Sequence, residues 1–217
     1  PHIDRIGPME FSIKASAPET LKTPCLVLPH FAGALPDEHT SNLNEVSQGH
    51  LFRLIARDLE EKAGSLLAIP TLPGAHAERV LVVSLGKRED YSARTLRSAL
   101  SAVGKWLAEA RAERAALHLA GFVTDVLDAR TVTQTAAQLL ADAAYRFDAP
   151  RAKKDSAPKG ARKVDILVLD KHATEARGSL ALGAAVAEGL TLARNLGNLP
   201  ANRCTPSYLA DTAVELG

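Results

Sequence analysis

Val80-Leu81-Val82-Val83-Ser84-Leu85-Gly86 is the stretch that decides the fold class. It has no charge, is aliphatic at all positions but one, and stops at a glycine. That makes it a strand with apolar residues on both faces, unlike the alternation of a half-solvated strand. Such a strand needs cover on both sides. Working outward, Ser65-Leu66-Leu67-Ala68-Ile69 reads as a short strand ended by Pro70, and Cys25-Leu26-Val27-Leu28 as a buried strand between Pro24 and Pro29. Glu10-Phe11-Ser12-Ile13-Lys14 alternates, as an edge strand does. Ala115 to Ala120, with Leu117 and Leu119 on one side, and Val164 to Leu169 complete the strand set.

Helical spacing fills the gaps. Leu51, Leu54, Ile55 and Leu59 recur at steps of three and four. Ser92 is placed as an N-cap ahead of Leu96, Leu100, Val103 and Leu107. Thr131 to Phe147 turns Val132, Ala136, Leu139, Leu140 and Ala143 inward, with Trp106 on the preceding helix as a packing anchor. From Ala173 to Leu196 a long helix carries Leu182, Val186, Leu190, Ala193 and Leu196 on one stripe, and Gly183 and Gly189 would let another backbone come close. Strands alternating with helices predict an α/β fold: a mixed, mostly parallel sheet covered by helices on both faces, followed by a long linker helix.

Bulk composition narrows the function classes. The 217 residues are 46% hydrophobic and 24% charged, with a net charge of +1, so global charge argues for neither nucleic acid nor membrane. No apolar stretch approaches the roughly 20 residues that span a bilayer. Cys25 and Cys204 are the only cysteines, and without a secretory signal they read as reduced thiols in a cytoplasmic protein. Residues 1–8 precede the only methionine and have no periodicity, so they are set apart from the fold as a remnant or extension.

The end of the chain is the most specific part. Ala193-Arg194-Asn195-Leu196-Gly197-Asn198-Leu199-Pro200-Ala201-Asn202-Arg203-Cys204-Thr205-Pro206-Ser207-Tyr208-Leu209-Ala210 places Asn and Pro at fixed intervals. Pro200 stops the helix before it, Asn198 and Asn202 suit turns, and Thr205-Pro206 is an N-cap followed by a first helical residue. Leu209, Ala213 and Leu216 form the stripe of the last short helix, which needs something to pack on.

This segment resembles the junction that opens the catalytic domain of bacterial leucyl aminopeptidases, with Leu199 where many members carry Glu. Met9-Glu10-Phe11-Ser12-Ile13-Lys14 is similar to the start of such proteins, and Arg79 to Lys87 to their central strand, with Ser84 where Gly is commoner. The resemblance implies a macro-domain-like N-terminal domain over 9–172, a linker helix over 173–197 and the truncated start of a catalytic domain over 198–217. It implies a cytoplasmic homo-hexamer in which two divalent ions, manganese or zinc, activate a water to release N-terminal residues from peptides. The family's metal-binding motif N-T-D-A-E-G-R-L does not occur here, so no catalytic or metal-binding residue is assigned and no cofactor is expected in this chain. Its expected role is to support assembly and access beside the catalytic domain.

Other chemistries have no motif: there is no H-E-x-x-H, C-x-x-C, G-x-S-x-G or P-loop. His2, His30, His39, His50, His76, His118 and His172 lack ligand spacing and are read as surface or satisfied histidines. Asp125 and Asp128 are read as a solvated pair. The alternative function rests on one basic stretch, Arg151, Lys153, Lys154, Lys159, Arg162 and Lys163 against Asp155. It is a solvated loop unless phosphates meet it, in which case it is a DNA- or nucleotide-ligand-binding element. Lys105, Arg111 and Arg114 would add a second basic edge.

Overall fold

The computed structural model describes residues 9–110, 112–147, 160–168 and 173–216. Its centre is a six-stranded sheet of β1 (Glu10–Lys14), β2 (Leu26–Ala32), β3 (Leu66–Ile69), β4 (Val80–Lys87), β5 (Arg114–His118) and β6 (Lys163–Leu167). The strand order is β1-β6-β5-β2-β4-β3, parallel throughout except for β3, which runs antiparallel on β4. The helices are α1 (Glu38–Val46), α2 (His50–Asp58), α3 (Ala93–Glu109), α4 (Ala129–Ala144), α5 (Ala173–Asn198) and α6 (Pro206–Leu216).

The predicted α/β class holds, and β4 shows why. Leu81, Val83 and Leu85 join the core under α3 and α4, with Leu96, Leu100, Val103, Leu107, Val132, Ala136 and Leu140. Val80 and Val82 point the other way, into a smaller cluster with Leu43 of α1 and Leu51 and Ile55 of α2. Each fully buried aliphatic side chain contributes about 1.5–3 kcal/mol relative to exposure. Ser84 is buried but satisfied: its hydroxyl donates to the Glu61 carbonyl (2.9 Å) and accepts from Gly86 N–H (3.2 Å). Ser92 and Thr95 form a capping box at the start of α3, as the sequence predicts.

Several boundaries differ from the sequence reading. The strand expected to end at Leu28 runs through Pro29 to Ala32. Leu26 N–H donates toward β4, to the Arg79 carbonyl, so the nitrogens of Val27 and Pro29 face β5. Pairing of β2 with β5 stops at Val27, so the N–H that Pro29 lacks would have no ladder partner. The strand expected to reach Ala120 ends at His118, because Leu119 turns helical and a 3-10 turn follows over Ala120–Phe122. The helix expected to reach Phe147 ends at Ala144, where Tyr145 becomes extended (φ −60°, ψ 129°). Helix α1 has no apolar periodicity to announce it; only Thr40 and Leu43 are buried.

The largest correction concerns α5. Its buried residues are Ala176, Ser179, Leu180, Gly183 and Ala187; of the stripe read from the sequence, Leu182, Val186, Leu190 and Ala193 are exposed and Leu196 is half-buried. Small residues win because they let α4 approach closely. A Cβ on Gly183 would sit 2.5 Å from the Gln134 carbonyl and 2.8 Å from Ala137 Cβ. Gly189 has nothing within 4 Å, so only one of the two glycines serves a close crossing. Helix α6 starts at Pro206 with Thr205 Oγ1 accepting from Tyr208 N–H (3.2 Å), and it buries no residue.

Candidate functional site

Open parallel sheets bind ligands beyond the carboxyl ends of their strands, where neighbouring strands lead away in opposite directions. Here that point lies between β2 and β5. The chain leaves β2 toward β4 and later returns to β5 on the other side. The residues gathered there come from distant parts of the sequence. His118 ends β5 at 2% exposure, and its Nε2 lies 2.8 Å from Asp37 Oδ1. Asp37 also caps α1, accepting from Thr40 N–H (3.2 Å) and Thr40 Oγ1 (2.7 Å). Beside it His39 meets Glu19 (3.1 Å), Asn42 donates to the same carboxylate (2.9 Å), and the rings of His39 and His118 meet edge to face at 5.7 Å.

Burial alone would raise the Asp37 carboxyl, but the hydrogen bond and charge of His118 and the two bonds from Thr40 outweigh it and hold it well below the usual carboxylate range. Glu19 is lowered in the same way: burial opposes, and Asn42, its own backbone N–H and His39 prevail. The cavity beside this cluster, lined by Ser16, Pro18, His39, His118, Ala120, Leu167 and Val168, is about 10 Å³. That is at most room for one water, which needs about 10–15 Å³. The protein's own carboxylate occupies the place where this architecture takes anions. The arrangement docks α1 to the sheet. The satisfied-histidine reading holds for His118.

A shallower cleft of about 350 Å³ lies beyond the end of β4, between Glu61, Lys62, Gly86, Lys87, Asp90 and Thr95. It carries both charge signs and no buried reactive group. Among the described residues no group of three or more His, Cys, Asp or Glu is placed to hold a metal ion.

Of the basic stretch, Arg151, Lys153, Lys154 and Lys159 lie outside the described residues, as does Arg111. Arg162 is exposed, and Lys163 pairs with Glu10 (2.8 Å) across β1 and β6. That contact and its charge lower the Glu10 carboxyl. Arg114 is also engaged. Its Nε lies 3.3 Å from Asp165, a buried carboxylate of β6 that also accepts from Lys14 (2.6 Å) and Ser12 (2.5 Å). Asp165 therefore ties β1, β5 and β6 together on the side of the sheet that faces α1 and α2. Asp128, read as half of a solvated acidic pair, is the N-cap of α4, accepting from Thr131 N–H (2.8 Å).

What remains open is the outer side of α5 and α6. Leu182 is 54% exposed, Val214 81% and Leu216 70%, with Val186, Leu190 and Leu209 also exposed. Leu35 and Val126 are exposed singly elsewhere, whereas six large apolar side chains stand exposed on these two consecutive helices.

The model of the cytosol aminopeptidase family N-terminal domain matches residues 27–154. The chain belongs to this family. Its relatives include probable cytosol aminopeptidases of Aromatoleum aromaticum, 46% identical over 213 residues, and of an Azoarcus species, 46% identical over 215. Each match covers 96% of this chain but 42% of the relative, so this aminopeptidase-family chain spans less than half the length of the curated proteins it matches. A tomato leucine aminopeptidase mutant superposes over 99% of this chain and 43% of its own with a TM-score of 0.76; at 22% identity it shows the fold. The bottromycin maturation enzyme BotP, solved in complex with Mn, matches 89% of this chain and 36% of its own with a TM-score of 0.65 at 25% identity. No helix among the described residues of this family member is long and apolar enough to cross a membrane.

The sequence reading did not single out Asp37 and His118. One local signal exists: Pro36-Asp37 with Thr40 three residues on is an N-cap pattern. Nothing local announces its pairing with a histidine 81 residues away. The cysteines are both free, as expected. Cys25 is buried, and burial pushes its thiol up to about 12. Ellman's reagent is therefore expected to find one fast thiol, Cys204, in the native chain and two after unfolding in urea. Two fast thiols in the native chain would contradict the buried position of Cys25.

Proposed function

We propose that this chain is the N-terminal domain of a longer, cytoplasmic, metal-dependent leucine-type aminopeptidase, and that its own role is to carry and place the catalytic domain. The observation that carries the reading is the apolar outer face of α5 and α6 in a chain that spans 42% of its relatives' length. In this reading α5 leads from the α/β domain into the catalytic domain, which covers Leu182, Val186 and Leu190. Two divalent ions, manganese or zinc, would be held by side chains of the catalytic domain and would supply the activated water that attacks the first peptide bond. The whole protein would assemble as a homo-hexamer acting on peptides. The residues described here supply no ligand to that centre.

Two measurements test this. The chain alone, with manganese added, is expected to leave leucine p-nitroanilide unhydrolysed; turnover by pure material would overturn the non-catalytic role. Joined to the catalytic portion of the Aromatoleum relative, the chain is expected to give a stable, active assembly. Leu182→Glu with Val186→Glu is expected to reduce that assembly at least tenfold while the isolated domain keeps its helical circular dichroism. Unimpaired assembly would place the catalytic domain elsewhere.

The alternative, a DNA- or nucleotide-binding module, draws no comparable support from the described residues. Lys163 and Arg114 are engaged with carboxylates, and Asp37 is paired with His118 at the end of β5. A gel shift that disappears in Lys153→Ala/Lys154→Ala would restore it.

A further inference from the structure

Helix α5 is held in two different ways along its length. Up to Ala187 its small residues are buried against α4. Beyond Ala187 none of its residues is fully buried, yet the helix continues for three more turns. The half-buried residues there are mixed, Leu192 and Leu196 beside Thr191 and Asn195, and exposed Asn198 follows Asn195 at helical spacing. Two of these meet one residue. The Tyr145 hydroxyl donates to Asn195 Oδ1 (3.0 Å) and accepts from Asn198 Nδ2 (3.2 Å). The Arg194 guanidinium lies over the Tyr145 ring, 5.4 Å from its centre, and pairs with Asp142 one turn back on α4.

Tyr145 can do this because it is the residue that leaves α4. Its extended backbone, at the point where the helix stops, directs the ring along the flank of α5. One phenol thus uses both its donor and its acceptor on the last two turns of the helix before Pro200. The amides involved belong to the Asn195–Ala210 junction, where turn-forming would be their simplest use.

We propose that Tyr145, with Asn195, Asn198 and the Arg194–Asp142 pair, is a latch that fixes the direction in which α5 leaves the domain, and so the placement of whatever follows Pro200. This deepens the reading of α5 as the connection to the catalytic domain and rests on it for its consequence, but not for its existence. Tyr145 is a positioning residue: it touches no reacting group, and apolar packing at Ala187 and before does not replace it. The latch is polar and partly solvated, so it can release without unfolding the sheet.

Hydrogen exchange on this 217-residue chain tests the contact. Tyr145→Phe keeps the ring under Arg194 and removes only the hydroxyl. Amides of residues 192–199 are expected to exchange about tenfold faster, while those of β4 stay as slow as in the parent. Asn195→Ala/Asn198→Ala is expected to give the same pattern. Unchanged exchange in 192–199 in both variants overturns the latch. A second readout tests direction. Spin labels on native Cys204 and on Thr131→Cys in α4 are expected to give a narrow distance distribution that broadens with Tyr145→Phe. Faster exchange with an unchanged distribution would mean that the hydroxyl steadies a helix turn and directs nothing. Neither result depends on whether the assembly with a catalytic domain forms, so failure of the latch and failure of the proposed function are told apart.

Discussion

Replacing His118 with alanine is expected to destabilise the domain by about 3–5 kcal/mol, read as a lower urea midpoint at unchanged slope. Three losses coincide. A ring at 2% exposure disappears from a packed site, its bond to Asp37 goes, and a half-buried carboxylate is left with Thr40 alone. Asp37→Asn keeps the shape and the cap but loses the charge, and is expected to cost less. The pair also sets an acid dependence. The Asp37 carboxyl is held below its ordinary value in the folded state, so its contribution is present above the unfolded value, about 4, and is lost as pH falls through the lower folded value. Stability of the parent should therefore fall as the pH drops below about 4, and Asp37→Asn should flatten that fall. If both proteins lose stability in parallel through this range, Asp37 is not the group responsible. A His118→Ala midpoint close to the parent's would remove the pair from the account altogether.

Gly183→Val is expected to be the most damaging single change on α5, and Gly189→Ala a mild gain. A Cβ at 183 would enter the Gln134 backbone carbonyl at 2.5 Å, and the obstacle is the body of α4, not a flexible side-chain end. Overpacking of this sort costs about 1–3 kcal/mol, and valine adds bulk beyond the Cβ. The helix is expected to lift away from α4, exposing Ala176, Leu180 and Ala187 and loosening the contact at Tyr145 as well. At 189 a Cβ meets nothing within 4 Å, so alanine only restores the helix propensity that glycine lacks, about 0.5–1 kcal/mol. Paired thermal melts check both. Equal melts for the two variants would mean that α5 does not cross α4 where the structure places it. The same pair tests the correction made to the sequence reading, which gave the two glycines one role.

Much of the architecture is legible locally. The β4 segment predicts a strand needing cover on both faces because aliphatic residues on successive positions leave neither side for water, and two clusters do cover it. Ser92 predicts the start of α3 because a cap acts within three residues. Thr205-Pro206 predicts the start of α6 for the same reason. Less local features misled. Pro29 reads as a stop, but whether a missing N–H matters depends on what lies beside it, and β5 has stopped pairing by then. Helix α1 has no apolar stripe to announce it; it is held by the Asp37 cap and that residue's contact with His118 at the end of β5. The site residues divide in the same way. The basic run was visible as charge, yet Lys163 and Arg114 are answered by Glu10 and Asp165 on neighbouring strands, which only the strand order reveals.

The segment from Ala193 to Ala210 carried the resemblance to the family to which the chain belongs, and the amino-acid sequence by itself determined the α/β class and the succession of most elements. These are matters of period and of short-range geometry, written within a few residues of where they act. Tertiary structure decided which face of α5 is buried, because two stripes compete and the smaller side chains permit the closer and more extensive contact. It decided that Asp37 meets His118 and that Tyr145 meets Asn195 and Asn198. A hydrogen bond between distant residues depends on the packing that brings them within reach, and no local pattern records that choice.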